Sequence, residues 1–338
     1  MKRGKISESV LKRTIIKEIQ YKNKAVKKGA AAGSDGAVFA TDGRDMASSV
    51  SAYTGEIIMS GRRAFAGAVN SLAAMGAEPF AVQAGILMPE STKESMLRGF
   101  MTELHHMGEA IGVQIAGGHT ETAVGIEKPV VMVTSYGYRE KFPDEKPYKG
   151  KVCEESDNGY DIVMIGEAGL EGTAVLAIEN EEELRKRFTG TYIDKAKGYI
   201  KELVIVREAA AAVMHGVKAM HDTSKGGVFG ALWELGEYLK CGMEINLRSI
   251  PIRQETIELC EYFDLNPYFI NSLGGLLAVT KDGKGLVSKI NDGGKTAAVI
   301  GRTVIGHQKT IINNDEKRYL ESPRSGKAEE RLEGLYKE

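Results

Sequence analysis

The run His221-Asp222-Thr223-Ser224-Lys225-Gly226-Gly227-Val228 puts an acid, two hydroxyls, a cation and two adjacent glycines where a helix is expected to begin. Asp, Thr and Ser supply helix N-caps, glycine lets a ligand approach the backbone closely, and the unpaired N–H groups of a first helical turn attract anions. The stretch reads as a phosphate cradle built on the backbone of Gly226 and Gly227, with Lys225 adding charge. The plainer reading is a capped helix start after a tight Gly-Gly turn. A second stretch of similar character, Ala116-Gly117-Gly118-His119-Thr120-Glu121, favours the functional reading. Gly117, Gly118 and Thr120 would then lie along phosphate. His119 could hydrogen-bond a phosphate, act as acid or base, or ligate a transition metal; its plainer role is a hydrogen-bonding loop residue. Glu121 is either a substrate contact or a loop cap. His105 and His106 are adjacent on a helix and point in different directions, which argues against a metal pair.

The elements that must position these residues follow from periodicity and punctuation. Lys2 to Lys28 reads as a basic amphipathic helix, with Val10, Leu11, Ile15, Ile16 and Ile19 on its apolar face. Gly29 to Gly36 is a small-residue loop, and Ala37 to Ala40 a short strand. Gly61 to Met75 reads as a helix stopped by Gly76 and Pro79. Ala81 to Met88 reads as a strand, and Ser91 to Ile111 as a helix capped by Ser91-Thr92. Val113 to Ala116 and Val130 to Gly137 are strands bracketing the glycine stretch as a loop. The polar segment Arg139 to Asn158 is a linker candidate, which divides the chain into domains 1–150 and 156–338. In the second half Tyr160 to Ile165, Val217 to Met220, Met243 to Leu247, Leu276 to Thr280 and Ala297 to Ile300 read as strands. Glu181 to Arg187, Tyr199 to His215, the run after Gly227, and Arg253 to Phe263 read as helices. The last two dozen residues read as an exposed, charged helix. Strands and helices alternate in both halves, so the class is α/β or α+β in two lobes.

Composition narrows the function. With 338 residues the chain can bury a large core, and a net charge of -1 gives no electrostatic footprint for nucleic acid or an anionic membrane. No apolar run is long enough to span a bilayer, and the start of the chain lacks the pattern of a secretory leader. Cys153, Cys241 and Cys260 have neither zinc-knuckle nor disulfide spacing, which fits a reducing, cytoplasmic setting. Trp233 and the methionines are expected to be core.

Five motifs in order resemble the aminoimidazole ribonucleotide (AIR) synthetase superfamily: Gly33-Ser34-Asp35, Asn70 to Pro79, Gly117 to Glu121, Gly169-Leu170-Glu171-Gly172-Thr173, and His221 to Gly227. The resemblance covers nearly the whole chain. It is nearest the hydrogenase-maturation branch through Ile250-Pro251-Ile252-Arg253, Asn266-Pro267-Tyr268 and Ser272-Leu273-Gly274-Gly275. It implies an N-terminal lobe whose mixed sheet pairs with that of a second subunit in a dimeric barrel, and a larger C-terminal α/β lobe. It also implies ATP and magnesium, used to activate an oxygen of a small-molecule substrate by phosphorylation. Asp35 and Asp222 would hold the metal, Asn70 would orient phosphate or water, and Asp222 and His119 would serve catalysis.

The chain departs from that pattern at several acids. Ser71 stands where the family has an Asp after the Asn of the first helix, and His119 where many members carry Asp. A third acid position, on the strand before Thr54-Gly55, holds Ser51 or Ala52; Asp42 and Asp45 lie near enough in sequence to substitute. The hydrogenase branch carries its carbamoyl group on a terminal cysteine. This sequence ends Leu335-Tyr336-Lys337-Glu338 with no thiol after Cys260, so thiocarbamate chemistry at the tail is not expected. Selenophosphate synthesis is disfavoured too, because the first cysteine is Cys153. The missing acids also motivate a second expectation: a nucleotide-binding relative without turnover, acting as a regulator or maturation-complex partner.

Overall fold

The structure, a computed structural model, describes Lys12 and residues 26–28, 37–41, 43–139 and 159–320. Asp35, Asp42, nearly all of the basic N-terminal helix, the linker candidate beyond Arg139 and the end of the chain lie outside the described residues. The rest divides into two compact units, 26–139 and 159–320.

The N-terminal unit is a six-stranded mixed sheet. Its strands are β1 (Val26–Lys28), β2 (Ala37–Phe39), β3 (Asp45–Thr54), β4 (Ala77–Met88), β5 (Gln114–Thr122) and β6 (Val130–Arg139), in the order β1-β2-β3-β6-β4-β5. Every pairing is antiparallel except β4 with β5. Two helices, α1 (Ile57–Ala74) and α2 (Glu94–Ala110), cover one face. α1 starts earlier than the sequence suggests because the Glu56 carboxylate caps it, accepting from the backbone N–H of Ile58 at 3.1 Å and Met59 at 2.8 Å. α2 begins at Glu94 with no side-chain cap, so the expected Ser91-Thr92 cap is not made.

Strand alternation separates the two faces of this sheet. Ala47, Ser49, Val131, Val133 and Ser135 face the helices and are buried, and the Ser135 hydroxyl donates to the Ala68 carbonyl of α1 at 2.8 Å. The opposite face is open and carries Val50, Phe80, Met132 and Tyr138, all exposed, with Phe80 stacked on Tyr138 at 4.9 Å.

The C-terminal unit is a seven-stranded sheet made of β7 (Asp161–Ile165), β8 (Ala219–Thr223), β9 (Gly242–Asn246), β10 (Gly275–Thr280), β11 (Ala297–Val304), β12 (Lys309–Asn313) and β13 (Glu316–Tyr319). Its order is β13-β12-β9-β11-β7-β10-β8. Its helices are α3 (Leu170–Glu179), α4 (Glu181–Leu184), α5 (Gly190–Gly198), α6 (Val206–His215), α7 (Gly227–Leu239), α8 (Gln254–Tyr262) and α9 (Gly283–Asp292). Residues of β7, β8, β9, β10 and α7 form the main core, and Trp233 packs at its margin under the Lys309 ammonium, 4.5 Å from the ring centre. The expected helix Tyr199 to His215 is broken into a 3-10 turn, Tyr199–Lys201, and α6. Glu316–Tyr319 is a strand paired with β12, which corrects the expectation of a helix at the start of that charged segment.

Candidate functional site

In the C-terminal unit the leading motif is split between a strand and a turn. His221, Asp222 and Thr223 belong to β8, the edge strand, and are buried. The His221 imidazole meets the Glu234 carboxylate of α7 at 3.1 Å, and the Thr223 hydroxyl donates to the Ser272 carbonyl at 2.5 Å. Asp222 points to the other side of the strand, is 4% exposed and already has a partner in the protein. None of the three caps α7. The cap residue is Gly226, in the left-handed region at φ +88°, with no side-chain hydrogen bond, so the expected Asp, Thr or Ser cap is not formed.

The two glycines of this turn do different things. A Cβ on Gly227 would fall 2.4 Å from the Tyr268 carbonyl oxygen and 2.7 Å from that of Ile270, so the chain itself occupies the close approach this glycine permits. The Gly227 N–H donates to the Ser224 carbonyl at 3.1 Å and is not available to an anion, against the expectation for that group. Behind it the 268–270 segment is braced by Phe229, which stacks on Tyr268 at 5.1 Å and meets Phe269 edge-on. Gly226 faces open space, with only the Gly230 Cα at 3.7 Å. Lys225 is half-buried and engaged within the protein. The accessible part of the motif is therefore Ser224 to Gly226.

Two further motifs converge on this turn. Gly169, at φ +73°, caps α3, and a Cβ there would lie 2.8 Å from Ile270 and Thr256 side-chain carbons. The Gly169 N–H donates to the Ser272 hydroxyl at 2.7 Å, the Gly172 N–H to the Asn271 carbonyl at 2.8 Å, and the Thr173 hydroxyl to Thr256 Oγ1 at 2.8 Å. The fully buried Glu171 carboxylate accepts from the Leu273 N–H at 3.4 Å. The Ser272 N–H donates to the Ser224 carbonyl at 3.1 Å. Residues 169–173, 222–227 and 271–275, scattered in sequence, thus make one hydrogen-bonded assembly. Sequence reading found each motif but not the joint role of Ser272, which needs the tertiary fold.

In the N-terminal unit Gly117 to Glu121 is not a loop but part of β5. β5 is the edge strand, and its exposed polar residues and positive-φ glycines imitate a loop in sequence. The glycines again divide. A Cβ on Gly118 would lie 2.0 Å from the Ala84 carbonyl oxygen, whereas Gly117 has only Gln83 Nε2, at 4.0 Å. His119 and Glu121, two residues apart, share one side of the strand and meet at 3.2 Å, 70% and 52% exposed. His119 lies beside Gly85, whose Cβ direction points at Met132 on the open face. Thr120 is exposed. Asn70 is fully buried in α1 and engaged within the protein. Asp45 is committed to Lys27 at 2.5 Å.

Among the described residues no three His, Cys, Asp or Glu side chains gather to hold a metal ion. The described acids alone therefore do not make the magnesium cage that the resemblance implies. No helix among the described residues is long and apolar enough to cross a membrane.

A two-unit chain with a mixed N-terminal sheet, an α/β C-terminal unit and three convergent small-residue motifs defines a class, and comparison with known proteins agrees. The chain belongs to the AIR synthase related protein family, matching its N-terminal domain over residues 30–138 and its C-terminal domain over 158–313. It is 28% identical over 251 residues to the carbamoyl dehydratase HypE of Rhodobacter capsulatus, covering 73% of this chain and 70% of that protein. Among solved structures it resembles HypE in a HypE-HypF complex, with a TM-score of 0.74, 16% identity, and coverage of 93% of this chain and 100% of the other. It also resembles the hydrogenase maturation protein HypE in complex with ATP, with a TM-score of 0.69, 17% identity, and coverage of 98% and 97%. The protein AaThiL complexed with AMPPCP and TMP has the same fold, with a TM-score of 0.70, 17% identity, and coverage of 93% and 96%.

Proposed function

We propose that this protein is an ATP-dependent enzyme of the HypE-like group that activates an oxygen of a small-molecule substrate by phosphorylation. The observation that carries the reading is the convergence of the 169–173, 222–227 and 271–275 motifs on a turn whose Gly226 backbone stands open in front of a helix start. With the N–H groups of Gly227, Phe229 and Gly230 bonded within the protein, what favours phosphate at this turn is the positive end of the α7 dipole, the open Gly226 backbone and the charge of Lys225. Transfer of a phosphoryl group depends mainly on position and charge neutralisation, which a turn held this firmly can supply. The reading is supported by the ATP complex of a HypE of the same fold and by the AMPPCP complex of AaThiL. In it His119 is the candidate acid or base of the N-terminal unit, and Asp222 would be a ligand of the magnesium that accompanies ATP.

The chain acts as a homodimer in this reading. Its support is the open sheet face with Val50, Phe80, Met132 and Tyr138, an apolar surface of the kind that marks an interaction site. A second reading rests on Ser71 and His119, which stand where the family pattern has acids. In that reading the protein binds nucleotide without turnover and serves as a regulator or maturation partner, as the HypE-HypF complex of similar fold suggests.

Calorimetry with ATP, with and without magnesium, followed by a slow-hydrolysis assay, tests the choice. The enzyme reading expects metal-dependent binding and phosphate release, both lost in Asp222→Asn. Binding that ignores magnesium, with no phosphate released over hours, supports the second reading.

A further inference from the structure

The hydrogen-bonded assembly around Ser272 is anchored at one side by a charged cluster that the proposed chemistry does not use. Arg253 immediately precedes α8. Its guanidinium makes a two-pronged contact with Glu202, from Nη1 to Oε1 at 3.0 Å and from Nη2 to Oε2 at 2.6 Å. It also reaches Glu167, with Nη2 at 3.4 Å from Oε2 and Nε at 3.4 Å from Oε1, and lies over the Tyr199 ring at 4.3 Å. Glu167 is 7% exposed and takes a further bond from the Thr296 hydroxyl at 2.8 Å. Next to it, the Tyr199 hydroxyl donates to Glu255 Oε2 at 2.5 Å, and Lys195 pairs with Glu255 Oε1 at 2.5 Å. Bonding to Arg253 holds the Glu202 carboxyl below its ordinary range.

The place of Glu167 in the chain gives this cluster its consequence. Two residues on, Gly169 opens the turn whose N–H holds the Ser272 hydroxyl, and Ser272 in turn holds the Ser224 carbonyl. Between them the Ala168 N–H donates to the Pro251 carbonyl at 2.8 Å, and Ala168 forms a bridge with Ile252. The segment 250–253 therefore clamps the start of the turn by its backbone and by the Arg253 fork. A planar guanidinium can satisfy two carboxylates at fixed angles, whereas a lysine ammonium supplies charge without the fork. Without Arg253, Glu167 and Glu202 face each other with no shared cation, and a buried carboxylate that loses its partner moves toward solvent.

We propose that Arg253 is a positioning residue: by holding Glu167 and Glu202 together it fixes the Gly169–Thr173 turn against Ser272, and through Ser272 fixes the Ser224–Gly226 turn that takes the nucleotide phosphate. The last step rests on the proposed ATP site; the first does not. Arg253 itself touches no phosphate. Its effect is carried by a contiguous set of bonds, so substitutions at Arg253 and Ser272 must be non-additive.

The test compares Arg253→Lys with the full-length wild type in three measurements. Amide hydrogen exchange is expected to speed up by about tenfold or more at Gly169, Gly172 and Ser272, with β9 and β12 unchanged, as expected when one charge-assisted fork is lost. ATP affinity by calorimetry is expected to fall by about tenfold in the folded protein, and Arg253→Lys with Ser272→Ala is expected to cost little more than either alone. Unchanged exchange at those amides overturns the proposal. So does a lowered unfolding midpoint with ATP affinity within about twofold of wild type, the pattern of a merely structural residue. If the wild type binds no ATP, the proposed function fails, and the exchange data still decide whether Arg253 positions the turn. Should Arg253→Lys not fold, Glu202→Gln removes one prong and takes its place, with the same outcomes.

Discussion

The two glycine pairs of this protein look alike in sequence and sit in opposite surroundings. Gly117-Gly118 lies in an exposed edge strand of the N-terminal unit, whereas Gly226-Gly227 lies between a buried strand and a helix of the C-terminal unit. In each pair the second glycine is pressed against the protein's own backbone, Gly118 on Ala84 and Gly227 on Tyr268 and Ile270, while the first has open space. A Gly-Gly motif thus carries two requirements, one of packing and one of access, and the two fall on different residues. Only the first residue of each pair is in a position to face a ligand.

The largest expected effects fall on the packed members. Gly227→Ala and Gly118→Ala each force a methyl into a carbonyl oxygen at positive φ, with a predicted loss of about 3 kcal/mol or more. Trp233, the single tryptophan, reports only on the C-terminal unit, so denaturant titrations followed by its fluorescence should detect Gly227→Ala directly. A midpoint equal to that of the wild type would mean that the 268–270 segment does not lean on Gly227.

The open members should behave differently. Gly226→Ala meets nothing closer than the Gly230 Cα at 3.7 Å and carries only the cost of a left-handed conformation, about 1 kcal/mol, yet should weaken ATP binding well beyond its effect on folding. A folded Gly226→Ala that binds ATP like wild type would remove the turn from the site.

Acid should weaken the C-terminal unit through its paired carboxylates. Glu202 is held low by Arg253, and Glu244 by Arg302 and Lys317. Their folded values lie below the unfolded ones, so the stability they add is present above the ordinary carboxylate range. It is lost as pH falls through the depressed values. Chemical denaturation followed at Trp233 from neutral to acid pH should show the decline, and Arg253→Gln should make it shallower, because a Glu202 carboxyl no longer held low adds little pH dependence; an unchanged slope would discount the Arg253 pairing.

The smallest expected effect is at the exposed pair. His119→Asn should change stability by less than about 0.5 kcal/mol, because solvent screens the contact with Glu121. If His119 serves as acid or base, substrate turnover falls all the same. Unchanged turnover would return His119 to a plain surface role.

Much of this arrangement is legible in the sequence. The helical period of Phe65, Val69, Leu72 and Ala73 marks α1, and the runs at 161–165 and 275–280 mark buried strands. What sequence reading misses has a physical reason in each case. Glycines at 117 and 118 signal a loop, yet an edge strand tolerates them because one side of its ladder is free. Asp222, Thr223 and Ser224 signal a helix cap, yet tertiary partners let Asp222 and Thr223 be buried in β8 beside His221, with Thr223 on Ser272 and His221 on Glu234. The glycine- and lysine-rich start of α9 hides a helix that Asp282 caps through the Gly285 N–H at 2.9 Å. Arg253 is visible as part of a motif, but its bonds to Glu167 and Glu202 span distant parts of the chain and leave no local signal.

The most direct test of the central claim is calorimetric titration of ATP into the wild type and Gly226→Ala, with folding of both checked by Trp233 fluorescence. Saturable binding by the wild type that is lost or weakened by about tenfold or more in a folded Gly226→Ala places phosphate at the Ser224–Gly226 turn. Equal affinity in the two proteins, or no binding by the wild type, contradicts it.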